Sequence, residues 1–98
     1  MTRFTWDPVK NARTLRERGF DFGYAIRIFA GPTLEWEDTR RDYGERRMVA
    51  IGLVQGVTLT VCYTDRGTSP EFMERRIISV RRSTRHERQE YQETFQGR

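Results

Sequence analysis

Among 98 residues there is one cysteine, one histidine and, within 18 basic side chains, a single lysine. Each scarcity excludes something. Cys62 has no partner for an internal disulfide, and its place in an alternating apolar stretch predicts a small, mostly buried residue in a reducing compartment. His86 alone cannot form an acid–base pair of two imidazoles, and with Cys62 more than twenty positions away it cannot build a zinc site. No carboxylate spacing calls for magnesium, and no P-loop, dinucleotide fingerprint or G-x-S-x-G elbow occurs, so the expected set of metals and cofactors is empty. No window approaches the roughly 18 apolar residues of a membrane span, and no apolar h-region follows the first charges. The expected location is the cytoplasm, without membrane contact.

In place of lysine the chain uses arginine. Lys and Arg exceed Asp and Glu by 18 to 14, and Lys10 is the only lysine. A guanidinium grips phosphate or carboxylate with a rigid fork and never deprotonates, whereas a merely soluble surface could use lysine equally well. An acidic partner, nucleic acid or protein, is therefore expected. The length predicts a single domain over residues 1–98, and 36% hydrophobic residues supply a modest core.

Punctuation by Gly, Pro and Asp divides the chain. Asp7 and Pro8 predict the start of a first helix through Val9, Ala12 and Leu15 to Gly19. Asp21 caps a second, with Phe22, Ala25, Ile26 and Phe29 as its core stripe and Gly31-Pro32 as its stop. Phe4 and Trp6 read as a short extended arm on the same core. The period then becomes two: Leu34 and Trp36 alternate first, then Arg47, Val49, Ile51 and Leu53 share one strand face, and after a Gln55-Gly56 turn Val57, Leu59, Val61 and Tyr63 face the same way, with the two helices covering that face. Asp65 to Pro70 reads as a loop, and Met73 to Val80 as a fourth strand. A T-x-x-E box, Thr84 to Glu87, opens a third helix that Tyr91 and Phe95 anchor weakly. The fold class expected from these elements is α+β: two N-terminal helices, a four-stranded antiparallel sheet and a C-terminal helix.

The densest chemistry lies between Glu74 and Arg88, where Arg75, Arg76, Arg81, Arg82, Arg85 and Arg88 straddle a strand end and a helix start, with Arg66 on the preceding segment. Added to the partial charge of a helix N-terminus, they suit an anion such as phosphate. Strict alternation puts Arg76, Ile78 and Val80 on one strand face and Arg75, Ile77, Ser79 and Arg81 on the other. His86 inside the cluster and Tyr63 beside Asp65 and Arg66 are the candidates for moving protons. A solvated basic face, a surface histidine and a half-buried strand tyrosine are the plain readings of the same residues.

Several segments together resemble the BrnT family of bacterial toxins: Phe4-x-Trp6-Asp7-x-x-Lys10, Gly19-Phe20-x-Phe22, Trp36-Glu37-Asp38, Tyr43-Gly44-Glu45-x-Arg47, Tyr63-Thr64-Asp65-Arg66-Gly67, Arg76-Ile77-Ile78-Ser79-Val80-Arg81-Arg82, and Ser83-Thr84-Arg85-x-Glu87-Arg88-x-x-Tyr91. They run in order over nearly the whole chain. The chain departs from the family in reading Glu17-Arg18-Gly19 where a Lys-His-Gly is common, and in a longer stretch after Gly67. The resemblance implies a RelE-like microbial ribonuclease architecture, a metal-independent endoribonuclease that arrests growth, and neutralisation by a BrnA-type antitoxin, through which alone DNA would be contacted.

The expected mechanism is attack of an RNA 2′-hydroxyl on the adjacent phosphate without a cofactor. Arg76 and Arg81 are assigned to stabilising the phosphoryl charge, Tyr63 or His86 to proton transfer, and Arg66, Arg82, Arg85 and Arg88 to holding RNA. The alternative is a non-catalytic basic module that binds RNA, DNA or an acidic protein.

Overall fold

Asp7 opens the first helix by accepting a hydrogen bond from the Val9 N–H at 2.9 Å, and Gly19 closes it at φ 83° with its N–H on the Leu15 carbonyl. The computed structural model describes residues 2–69 and 71–96, apart from the side chains of Thr68 and Gln96. In chain order these form β1 (Thr2–Trp6), α1 (Pro8–Arg18), α2 (Phe22–Ala25) continued by a 3-10 turn (Ile26–Ala30), β2 (Leu34–Glu37), β3 (Met48–Val54), β4 (Val57–Ser69), β5 (Phe72–Arg82) and α3 (Arg85–Tyr91), the last extended by a π turn (Gln92–Gln96). No helix among the described residues is long and apolar enough to cross a membrane.

The class is α+β, but the expected RelE-like arrangement of two N-terminal helices and a four-stranded antiparallel sheet is corrected in both parts. The sheet has five strands in the order β1-β5-β4-β3-β2 and is mixed. Strands β2 to β5 form the antiparallel meander, while the arm at Phe4 and Trp6 is β1, parallel to β5 from Thr2↔Met73 to Trp6↔Ile77. Pairing there satisfies β5's outer edge and lets Phe4 stack on Phe29 at 5.7 Å and Trp6 meet Phe22 edge-on at 6.1 Å. Where β1 ends, the Lys10 ammonium donates to the Ile78 carbonyl at 2.5 Å, taking over an acceptor on the edge that β1 no longer reaches.

The second helix is one α turn followed by 3-10 geometry. Its fully buried residues are Phe22, Ala25 and Ile28, three apart as a 3-10 helix demands, while Ile26 and Phe29 of the expected stripe pack half-buried against the same core. The tightening seats Ile28 against β3, where a Cβ on Gly52 would lie 2.6 Å from the Ile28 Cβ. α1 buries no residue fully, so Phe20, Phe22, Ala25 and Ile28 cover the sheet in its place.

The stretch from Asp65 reads as strand, not loop: β4 continues to Ser69, and Pro70 lies outside the described residues. The tight turn at Gln55-Gly56 has φ of 51° and 80°, as a two-residue hairpin requires. It opposes Val54 to Val57, Gly52 to Leu59 and Ala50 to Val61. Ala50 and Val54, not Val49 and Ile51, therefore share the helix-covered face with Leu59, Val61 and Tyr63. Val49 and Ile51 are buried on the opposite face, where α3 packs and Tyr91 is 1% exposed.

Candidate functional site

A β-bulge decides which arginines meet. Between Cys62↔Ser79 and Tyr63↔Ile77 the register of β4 and β5 shifts, and Ile78 is the extra residue. The alternation changes phase there. Arg75, Ile77, Val80 and Arg82 turn toward the covered face with Tyr63, while Arg76, Ser79 and Arg81 turn to the other. Arg76 and Arg81, which strict alternation separates, thus share one face. Across β4 they lie beside Thr64 and Thr60, with Cys62 and Ser79 opposed between them, and Arg66 follows one step further, opposite Glu74. Small side chains floor this strip and arginines stand along it.

Two flanking segments border it. On the β3 side the Asp38–Arg47 connection is held by Asp38, a carboxylate only 6% exposed, which accepts from the Arg40 guanidinium at 2.8 and 2.9 Å and from the Tyr43 hydroxyl at 3.0 Å. The bond from Arg40 holds the Asp38 carboxyl far below the usual carboxylate range, against its burial. The Thr64 hydroxyl ties the same connection to the sheet through the Arg46 carbonyl at 2.7 Å. Arg47 lies 4.2 Å above the Tyr43 ring and bonds Glu45 at 3.1 Å, and Glu45 also takes Arg66 at 3.3 Å. Burial raises the Glu45 pKa, but the two guanidiniums together bring it below its ordinary value.

On the other side stands α3. Arg81 donates through both terminal nitrogens to Glu87 at 2.7 and 2.9 Å, and Glu87 also takes the Thr84 N–H at 2.8 Å and the Thr60 hydroxyl at 3.0 Å. The capping box is therefore complete, and its glutamate is bound to the strand as well as to its own helix. The bond from Arg81 lowers the Glu87 pKa to about 2, against burial, and the same pair raises that of Arg81. A carboxylate depressed from 4.5 to about 2 adds stability above the higher value that is lost as pH falls toward the lower. Thermal denaturation between pH 5 and 2 should show a falling Tm, and Glu87→Gln should flatten, without abolishing, that slope, since Asp38 and Glu45 act with the same sign. An unchanged slope in the variant would mean that the pair contributes nothing.

The remaining sequence-derived residues scatter. Arg85 and His86 are on the exposed side of α3, His86 facing Glu90 at 3.4 Å, and Arg88 donates to the Ser83 carbonyl at 3.0 Å. Arg82 lies on the covered side, at the mouth of a cleft beside Phe20 and Leu59. Tyr63 is 3% exposed on the face opposite Arg76, its hydroxyl bonded to Glu35, and burial together with that bond pushes its pKa up. Arg75 lies 4.1 Å over the Tyr63 ring and 4.8 Å over Phe29 and bonds Asp65 at 2.8 and 2.9 Å. This phenol–carboxylate–guanidinium group is one that sequence reasoning missed. The signal was Glu35 one residue from Trp36 on an alternating strand: only the β2–β3–β4 register brings it across to Tyr63.

Neither Arg76 nor Arg82 has an ion-pair partner among the described residues, whereas Arg40, Arg46, Arg47, Arg66, Arg75 and Arg81 each have one. Arg76 is the open cation on the strip. An anion entering there meets one unpaired guanidinium and, through Arg47, Arg66 and Arg81, three whose carboxylates it can compete with. Such a surface can hold a phosphodiester and stabilise added charge on it.

A search of curated proteins returns no match. Residues 6–87 match the family model described as the ribonuclease toxin, BrnT, of type II toxin-antitoxin systems. That match takes in β1's last residue, the Asp38–Arg47 connection, both strands that build the arginine strip and the first turn of α3, and the chain belongs to the BrnT family of ribonuclease toxins.

Proposed function

We propose that this protein is a metal-independent endoribonuclease that arrests growth by cutting RNA on the β4–β5 arginine strip and is neutralised by a BrnA-type antitoxin. What carries the reading is the bulge at Ile78, because it aligns Arg76 with Arg81 and Arg66 along one open face. A phosphate seated over Ser79 and Cys62 would have guanidiniums on both sides. Attack by the neighbouring 2′-hydroxyl, whose proton passes to water, puts a second negative charge on the phosphoryl oxygens, and fixed guanidiniums stabilise that state more than the ground state; the P–O5′ bond then breaks, leaving a 2′,3′-cyclic phosphate and a 5′-oxygen that takes its proton from water. Arg76 and Arg81 take this role, Arg66 positions the strand, and Arg85, Arg88 and His86 on α3 extend the contact, whereas Arg82 faces the other side of the sheet.

A second reading is supported by the Tyr63 group. Glu35 could accept the 2′-hydroxyl proton and Tyr63, held protonated, could give one to the leaving oxygen, with Arg75 as the charge stabiliser. Its weakness is local charge: Glu35 and Asp65 set two carboxylates against one guanidinium, which repels phosphate. The arginine strip is favoured on that ground.

Purified, antitoxin-free protein should degrade single-stranded RNA in the presence of EDTA. Tyr63→Phe should retain activity if the strip is the site and lose it if the tyrosine group is. Intact RNA after prolonged incubation with folded protein would overturn the ribonuclease reading in favour of a binding module.

A further inference from the structure

Beyond the open edge of β5, where β1 has ended, two hollows join. The first, about 360 Å³, is walled by Leu15, Phe20, Tyr24, Val57 and Leu59, with Arg82 at its mouth. The second, about 420 Å³, shares Phe20 and Arg82 and adds Arg18, Arg81, Thr84 and Glu17. An apolar hollow thus continues into a basic one. Leu15 is 50% exposed and Val57 37%, so the apolar part reaches solvent. Arg18 and Arg82 have no ion-pair partner among the described residues.

We infer that this cleft is the anchor point for the antitoxin, receiving one large apolar side chain between Leu15, Val57 and Leu59 while flanking carboxylates of the same segment engage Arg18 and Arg82. This rests on the reading that a protein antitoxin neutralises the chain.

The chemistry of the walls favours a protein segment over RNA. Sequence-tolerant nucleic-acid sites offer flat aromatic faces to bases. Here the exposed walls are the aliphatic Leu15 and Val57, and Phe20 is only 8% exposed, with its ring committed to the core. The Tyr24 hydroxyl is already bonded to Gln55 at 2.9 Å, and Asp21 spends its carboxylate on the Tyr24 N–H. Of the apolar hollow's polar side chains, only Arg82 at its mouth is left without a partner among the described residues. Exposed aliphatic surface with arginines beside it is instead what an acidic amphipathic segment complements. Seated there, the segment would also stand beside Arg81 and so reach the end of the RNA strip without sharing its floor.

The test uses Leu15→Glu, Val57→Glu and Arg18→Glu, three surface changes outside the proposed RNA strip, against the purified cognate antitoxin. Calorimetry or surface binding should show roughly a 30-fold loss of antitoxin affinity for each apolar variant, the scale of a hot-spot truncation, and a smaller loss for Arg18→Glu that shrinks with added salt. Anisotropy with a 2′-O-methyl single-stranded RNA, which cannot be cleaved, should be unchanged. Unaltered antitoxin affinity in all three folded variants would overturn the inference. So would weakened RNA binding with antitoxin binding intact, which would make the cleft a nucleotide site. Because both measurements are of binding, they stand whether or not the protein cleaves RNA.

Discussion

Arg76→Ala should lower the rate of RNA cleavage roughly a hundredfold or more while leaving Tm unchanged, because removing one preorganised donor to a developing oxyanion has an effect of that order. The side chain makes no ion pair among the described residues, so nothing in the fold loses a partner when it is truncated. Arg76→Lys should recover only part of the rate, since an ammonium keeps the charge but not the planar fork. Arg81→Ala is the informative contrast. It removes a stabiliser from the strip and also leaves Glu87 without its bidentate partner, so it should lower both activity and Tm. Rates measured at matched folded fraction separate the two effects. Full activity in both alanine variants would move the chemistry to the Tyr63 group on the opposite face.

The sequence carried the residue types of this site but not their arrangement. Alternation along β5 is legible, and it divides Arg76 from Arg81; the bulge at Ile78, which reunites them, adds one residue to a ladder whose partner strand lies elsewhere in the chain. Nothing in Ile77-Ile78-Ser79 marks which isoleucine is extra. The same limit produced the misread face of β3. A two-residue turn pairs Val54 with Val57, so even-numbered residues of β3 oppose odd-numbered residues of β4, a consequence that holds only once the turn length is fixed. Local signals fared better. The caps at Asp7, Asp21 and Thr84, the stop at Gly19 and the turn at Gln55-Gly56 each depend on neighbouring backbone alone, and each is in place.

β1 was beyond reach for another reason. Thr2–Trp6 alternates as a strand should, but its partner is β5, near the other end of the chain, and a parallel pair leaves no hairpin signature to announce it. Lys10 belongs to the same problem. Its ammonium donates to the carbonyl of Ile78, the residue after the last β1–β5 pair, a contact 68 positions away that no local pattern announces.

Tyr91→Ala should destabilise the protein by about 3–5 kcal/mol, the range for removing a fully buried aromatic ring, and should release α3 before the sheet melts. The sequence counts two apolar anchors on this helix and so suggests loose docking. In the fold Tyr91 is 1% exposed, its hydroxyl donates to the Pro32 carbonyl at 2.8 Å, and Phe95 lies against its ring at 4.9 Å. Polar ties that no helical pattern reveals add to this: the Thr60 and Ser83 hydroxyls share a bond at 2.8 Å, and Arg88 and Glu87 fasten the first turn to Ser83, Thr60 and Arg81. The helix therefore shuts one end of the arginine strip with a clasp of its own. Tyr91→Phe should lower stability by only about 1 kcal/mol, since it deletes one hydrogen bond and keeps the ring. Amide exchange read residue by residue distinguishes the outcomes. In the alanine variant Arg88 to Tyr91 should exchange far faster than Val61 and Val80, whereas in the phenylalanine variant the two sets should stay protected together. Equal protection in the alanine variant would mean that the polar clasp alone holds α3, and Arg81→Ala should then free the helix in its place.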